Sequence, residues 1–157
     1  MKLLTALALL LLVGCGDISS QGIKMNDSIT VQNIESLIGE QLKYDVTYGD
    51  LDGDNGICFK NFNEFLGVKW DHYRYVILDI DFMNSTGTNV EMVLLHEVGH
   101  CTYGLGHTDT ELLPDGCKGH IMDTLKPYEA SSDMCWETHK DRYLEQVQFI
   151  SKLLGKS

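Results

Sequence analysis

Residues 88–107, TNVEMVLLHEVGHCTYGLGH, decide the expected fold because they predict a single helix with its beginning and its end. Thr88 followed by Glu91 fits a capping box, in which two side chains satisfy the first backbone N–H groups of a helix. Apolar residues then recur at helical spacing: Val90, Val93, Leu94, Val98 and Cys101. The pattern predicts a helix from about Asn89 to Tyr103.

Residues 96–100 of this helix, His-Glu-Val-Gly-His, are the ones suited to chemistry. Four residues advance a helix by about 6 Å and about 400°, so the two imidazoles project from one face and can bind one ion. Zinc binds such nitrogens at about 2.0–2.1 Å and leaves a position open for water, which Glu97 could reach. The bare pattern also occurs in surface helices. This helix is mostly apolar, however, and burying two imidazoles and a carboxylate without a function would be costly.

Two later features add to this pattern. Gly104 ends the helix, and after Gly106 comes a third imidazole, His107. Met122 follows within GHIMD, residues 119–123. With the histidine pair, these residues resemble the metzincin metallopeptidases, in the matrixin-like branch, whose signature is H-E-x-x-H-x-x-G-x-x-H with a later Met-turn. The likeness covers roughly residues 75–123.

The resemblance implies a role for each matching residue. His96, His100 and His107 would bind one catalytic zinc ion, Glu97 would be the general base, and Met122 would be the Met-turn residue beneath the metal. One departure stands out: six residues separate His100 from His107, where the family has five. Glycines tolerate unusual backbone angles, so a helix one residue longer could still deliver His107. Three other side chains that zinc accepts remain alternatives for the third ligand: Asp109, Glu111 and His120.

The flanking segments predict an α+β domain: a twisted mixed sheet packed on the active-site helix, with a C-terminal helix. Helical spacing predicts one helix from Ser28, stopped by Gly39, and a closing helix ended by Gly155. The face of the closing helix is marked by Trp136, Tyr143, Val147, Ile150 and Leu154. Alternation predicts strands over residues 42–48 and 75–82, and shorter ones over 57–62 and 67–70. In the family, the strand before the helix is the sheet edge that receives extended substrate, a role that Tyr75 to Phe82 would take.

The turn over residues 49–56 contains alternating acids, Asp50, Asp52 and Asp54. An EF-hand loop would place its glycine one position earlier and a glutamate where Asn61 stands. A calcium ion is therefore one interpretation of this segment, and a plain acidic turn is the other.

The first residues predict export. Lys2 precedes an apolar stretch, Leu3 to Val13, which is too short to span a bilayer. It ends in Leu-Val-Gly-Cys15, which resembles the lipobox of bacterial lipoproteins; an ordinary signal peptide with a cysteine nearby is the alternative. The predicted organisation is a signal peptide over 1–14, a lipid-anchored tether over 15–27, and a metallopeptidase domain over 28–157. The resemblance implies an acylated Cys15 that anchors the protein to a membrane in the bacterial periplasm, the outer membrane or the cell surface.

Composition limits the partners. The formal net charge is −11, and about −12 once Lys2 leaves with the signal. This charge disfavours nucleic acid and anionic lipid surfaces as partners.

Beyond Cys15 the chain holds four cysteines, Cys58, Cys101, Cys117 and Cys135. In an oxidising compartment they predict two disulfides with three possible pairings. A structural zinc site is the competing interpretation, but the sequence contains no C-x-x-C pair.

These observations favour a zinc-dependent endopeptidase that acts on a protein or peptide substrate. Two alternatives stay open: a gluzincin-type zinc peptidase with a distal acidic ligand, and a non-catalytic lipoprotein binding module that contains a metal.

Overall fold

The computed structural model describes residues 28–65, 68–124, 128–153 and 155. The predicted signal peptide, the tether and Cys15 lie outside the described residues. In chain order the elements are α1 Ile29–Ile38, β1 Asp45–Tyr48, β2 Gly56–Phe65, β3 Val68–Leu78, α2 Ile80–Thr86, α3 Val90–Tyr103, a 3-10 turn Tyr128–Ser131 and α4 Asp133–Leu153. This is a mixed α+β architecture, as predicted.

The three strands form one mixed sheet in the order β1-β3-β2. The central strand β3 pairs parallel with β1 and antiparallel with β2. The strands predicted over 67–70 and 75–82 are thus parts of one strand, which ends at Leu78. Because β3 lies in the middle of the sheet, the expectation that Tyr75 to Phe82 form a substrate-receiving edge is wrong. The strand that contacts α3 most and lies at an edge is β2.

Asp79 explains why β3 stops early. Its side chain caps α2, with Oδ1 accepting from the Phe82 N–H at 2.9 Å. Its second oxygen, Oδ2, accepts from the Leu51 N–H at 2.9 Å. Alternating apolar residues continue to Phe82, but a carboxylate at an N-cap position satisfies helical N–H groups and so favours a helix there.

The helix predicted from Asn89 to Tyr103 is confirmed as α3, although its cap differs from the prediction. Asn89 is the N-cap, and its side chain accepts from the Met92 N–H at 2.8 Å. Glu91 does not form the expected capping box. Its carboxylate instead accepts from the Trp136 indole at 2.8 Å and from the Asn33 amide at 2.7 Å. The hydrogen bonds of this carboxylate are therefore made to residues distant in sequence and not to the start of its own helix.

The helix α3 occupies the centre of the fold, since it packs against β2 and β3 as well as α1 and α4. The predicted N-terminal helix is confirmed, with Ser28 as its cap and Gly39 in the left-handed conformation after its last residue. The closing helix is also confirmed and buries Trp136, Tyr143 and Val147. Leu154 lies outside the described residues. Among the described residues, the helices lack the combination of length and apolar character that crossing a bilayer requires.

The four cysteines form two disulfides, in one of the three pairings that the sequence allowed. Cys58–Cys101 joins β2 to α3, one residue after His100. Cys117–Cys135 joins the loop before Met122 to α4. The first bridge therefore holds β2 against the central helix, and the second holds the loop before Met122 against α4.

Candidate metal centre

The first two histidines are aligned by backbone carbonyls. The Nδ1 of His96 donates to the carbonyl oxygen of Ile121 at 2.7 Å, and that of His100 donates to the oxygen of Leu105 at 2.6 Å. A carbonyl oxygen can only accept, so in each neutral ring the proton sits on Nδ1. Both Nε2 atoms consequently carry a lone pair and are free of hydrogen.

His107 completes a triangle of Nε2 atoms. The distances are 3.0 Å between His96 and His100, 3.2 Å between His96 and His107, and 3.2 Å between His100 and His107. Three nitrogens bound tetrahedrally to zinc at 2.0–2.1 Å would stand about 3.3 Å apart. The spacing in the protein is therefore close to that of three ligands around one ion.

The extra residue before His107 is accommodated where the helix ends. Gly104 has a φ of 71°, in the left-handed region that favours glycine, and the Leu105 N–H donates back to the Gly99 oxygen at 3.1 Å. Just beyond the third histidine, the Thr108 N–H donates to the Met122 oxygen at 2.9 Å. These bonds turn the chain back over the end of α3 and bring the third imidazole to the first two.

The donor set fits a divalent cation. Burial, as the largest cause, lowers the pKa of His96 to about 3, and burial also lowers the pKa of His100. Both rings are therefore neutral near pH 7. The Nε2 lone pairs of His96 and His100, 3.0 Å apart, repel each other unless a proton or a cation lies between them. An imidazole triad of this shape suits zinc and leaves the fourth coordination position open.

Glu97 lies beside the triad and is 3% exposed. Burial raises the pKa of its carboxyl to about 8, while a hydrogen bond from the Cys58 N–H opposes this shift and the charge of Asp54 adds to it. Glu97, His100 and His107 line a cleft of about 500 Å³ together with residues of β2. The carboxylate can therefore reach a molecule held at the triad.

Met122 packs directly against the helix. A Cβ added to Gly99 would lie 2.3 Å from the Met122 sulfur, so a side chain at position 99 would collide with it. Met122 is 1% exposed, and its neighbour Ile121 supplies the carbonyl that orients His96. The predicted Met-turn segment thus supports the triad from the interior of the protein.

Asp123 holds the two loops of the site together and was not singled out from the sequence. Its carboxylate accepts from the Thr108 hydroxyl at 2.6 Å, from both the N–H and the hydroxyl of Thr110, and from the His120 N–H at 2.9 Å. Burial raises its pKa, but these hydrogen bonds outweigh burial and lower the pKa overall. The sequence pattern that could have indicated this role is a carboxylate directly after Met122 together with threonines just beyond His107.

The strand β2 forms one wall of the cleft, which sequence reasoning also missed. Asp79 donates its N–H to the Asn55 oxygen, so residues 55 and 79 form a hydrogen-bonded pair at the start of the antiparallel ladder. Hydrogen-bonded and non-hydrogen-bonded pairs alternate along such a ladder. Residues 56, 58 and 60 therefore direct their backbone groups away from β3, towards the cleft.

The alternative third ligands do not join the triad. Asp109 and Glu111 are exposed, and the His120 Nδ1 accepts from the Met122 N–H at 3.0 Å. Within the described part of the chain, the second convergent group of metal-binding type is Asp115, Cys117 and His139. The acids of the 49–56 turn are not part of either group, and the Asp50 carboxylate accepts from the Asp52 N–H at 3.0 Å. A calcium ion there stays a prediction.

A scan against protein-family models finds no match, and searches of curated proteins and of solved structures find no significant match either. The metzincin resemblance therefore depends on the motif residues themselves.

Proposed function

We propose that the protein is a zinc-dependent endopeptidase of the metzincin type, in the matrixin-like branch. The observation that carries this proposal is the triangle of Nε2 atoms at 3.0–3.2 Å, with two of the rings oriented by backbone carbonyls. A purely structural zinc site usually has four protein ligands. Three ligands beside a buried carboxylate favour a catalytic site.

In this proposal His96, His100 and His107 hold the ion. When bound, zinc supplies a Lewis acid that polarises a carbonyl and lowers the pKa of water to about 7. Glu97 acts as the general base: its carboxylate takes the proton from the attacking water and later delivers it to the departing amine. The Cys58 N–H orients the carboxylate, and a divalent charge nearby favours its ionised form.

The substrate is proposed to bind as an added strand along β2. The backbone groups of residues 56 and 60 and the carbonyl of Cys58 face the cleft, and an extended peptide can pair with such an edge. Gly56 lets β2 approach α3 closely, since a Cβ there would lie 2.9 Å from the Val93 side chain and 3.1 Å from that of Glu97. In this proposal β2 takes the role that the resemblance implied for residues 75–82.

The cellular location is proposed from the N-terminal sequence. A cleaved signal and an acylated Cys15 would anchor the protein to a membrane, and each buried methylene of the acyl chains contributes about 0.8 kcal/mol. A tether over 16–27 reaches at most roughly 40 Å. Two disulfides in the folded domain accord with an oxidising compartment outside the cytoplasm.

The decisive experiment compares the wild type with Glu97→Gln on a broad peptide library, together with metal analysis of both proteins. We expect one zinc per chain in each, and cleavage only by the wild type. Glu137→Gln is the matched control, because Glu137 is an exposed carboxylate on α4. Normal hydrolysis by Glu97→Gln would refute its role as general base.

Two further outcomes would identify the alternatives. Undiminished zinc in His107→Ala would favour a gluzincin-type site with a distal acidic ligand. Bound zinc without cleavage of any library peptide would favour a non-catalytic binding module.

A further inference from the structure

The cleft carries a cationic side chain at one end of the β2 wall. Lys60 lines the cleft with His100, Leu105 and His107. Side chains two residues apart on a strand point to the same face, so Lys60 and Cys58 share a face. Because Cys58 is bonded to Cys101 of α3, that face is directed at the active-site helix.

A second cation lies beside it. Lys60 is paired across the sheet with Arg74, whose guanidinium donates to the Cys101 oxygen at 2.8 Å. In a chain of net charge −11, two neighbouring cations at one end of the cleft distinguish this surface from the protein as a whole.

The other end of the wall has the opposite sign. Asp54 lies two residues before Gly56, at the start of the strand. From Gly56 to Lys60 the strand extends by about 13 Å. A peptide lying along β2 thus meets a negative charge at one end and a positive charge at the other.

We propose that Lys60 selects substrates with an acidic side chain at the residue that lies opposite it on the added strand. Directly opposite side chains on neighbouring strands stand about 4.5–5.5 Å apart at Cβ, which places a glutamate or aspartate within ion-pairing reach of the ammonium group. The inference rests on the proposed peptidase function, and it names the substrate class: acidic peptides.

The position of the selected residue follows from the register. Glu97 accepts from the Cys58 N–H, so the bond that is cut lies alongside Cys58. The residue opposite Lys60 is then about two positions away. It lies on the amino side of the cut bond if the peptide adds antiparallel to β2, and on the carboxyl side if it adds parallel.

The binding test uses Glu97→Gln protein loaded with zinc, so that no turnover is required. The probes are fluorescein-labelled decapeptides of otherwise neutral sequence, with one Glu, Gln or Lys placed at each position in turn. Fluorescence anisotropy gives Kd for each. We expect one position at which Glu binds roughly 2- to 5-fold more tightly than Gln, a ratio that falls with added salt.

Three variants in this background identify the source of the preference. Lys60→Gln should bring the ratio to about 1, Lys60→Glu should invert it in favour of the Lys peptide, and Lys60→Arg should retain it. Lys140→Gln is the matched control, because it removes the same charge from an ion pair on α4. An undiminished preference in Lys60→Gln would overturn the proposal. Retention by Lys60→Arg also excludes a folding defect as the cause of the loss.

Cleavage of a peptide library by the wild type separates this inference from the function on which it rests. Charge-selective binding that depends on Lys60, without any cleavage, would remove the peptidase assignment and retain the acidic-peptide site. Cleavage without preference for an acidic residue within three positions of the cut bond would retain the peptidase and reject the role of Lys60.

Discussion

Two groups of side chains in the described structure have the composition of a metal site, and they differ in what their polar atoms already bind. In the first, three imidazoles direct Nε2 atoms at a common point, at separations of 3.0–3.2 Å. In the second, the Asp115 carboxylate and the His139 ring bind each other at 2.6 Å, and Cys117 is bonded to Cys135. The first group still has lone pairs to offer, whereas in the second the converging atoms already bind each other or are bonded in a disulfide.

The difference comes from the backbone around each group. Carbonyls of Ile121 and Leu105 take the Nδ1 protons of the first group, so the remaining lone pairs face inward. In the second group no backbone carbonyl is needed to orient the ring, because the exposed Asp115 carboxylate and the His139 imidazole bind each other. The hydrogen bond from His139 lowers the pKa of Asp115. Clustering of ligand-type residues is thus a weaker indication of a metal site than the orientation of their free lone pairs.

The largest expected effect is on zinc affinity. His100→Ala should raise the zinc Kd more than about 100-fold, since loss of even an outer-shell partner costs 10- to 100-fold. His139→Ala should change it less than about twofold. A competition titration with a chromophoric chelator measures both. Equal losses in the two variants would place the ion elsewhere than at the triad.

Zinc should also stabilise the folded protein through the first group alone. At a free zinc concentration 100 times Kd, the free energy of unfolding should rise by about 2.7 kcal/mol, equivalent to about 10 °C in Tm. Calorimetry with zinc and with a chelator measures the difference. The shift should persist in His139→Ala and vanish in His107→Ala; a zinc shift of full size in His107→Ala would contradict the proposed ligand set.

Glycine substitutions test the packing beneath each group. Gly99→Ala would place a Cβ 2.3 Å from the Met122 sulfur, so we expect a loss of about 1–3 kcal/mol in urea unfolding and weaker zinc binding. Gly116→Ala meets no neighbour, but its φ of 84° is strained for alanine, so the expected loss is about 1 kcal/mol with zinc binding unchanged. Tight zinc binding by Gly99→Ala would show that Met122 does not support the triad.

The smallest effect concerns pH in the metal-free protein. Glu97 has a pKa of about 8 when folded, above its ordinary value of 4.5, so its contribution to stability is present below pH 4.5 and is lost as pH rises towards 8. His96 has the opposite sign: its pKa of about 3 lies below 6.5, so its contribution is lost as pH falls from 6.5 towards 3.

Glu97→Gln should remove only the loss of stability at alkaline pH. Its free energy of unfolding should exceed that of the wild type by about 1 kcal/mol or more at pH 8 and by little at pH 4.5. Urea unfolding in the presence of a chelator, at pH values from 4.5 to 8, checks this. The exposed Glu137→Gln should show no such trend. A gain in the stability of Glu97→Gln that does not depend on pH would contradict the raised pKa of the Glu97 carboxyl.

Several parts of the fold could be predicted because they depend on neighbours in sequence. Helices α1, α3 and α4 follow from apolar spacing of three and four residues, and the ends of α1 and α3 follow from glycines that adopt left-handed angles. The common face of His96 and His100 is equally a property of one helix. Errors arose where distant groups intervened, as when Trp136 and Asn33 took the Glu91 carboxylate from its expected cap.

The sequence by itself determined the central helix, its two histidines and Glu97, because a single helical period places them. Only the tertiary structure decided the strand order, the disulfide pairing, the arrival of His107 and the choice of β2 as the cleft wall. Each of these depends on segments far apart in the chain that are brought together by packing and by hydrogen bonds such as those to Asp123, Ile121 and Leu105. Local periodicity carries no information about such contacts, so the site is complete only in the folded chain.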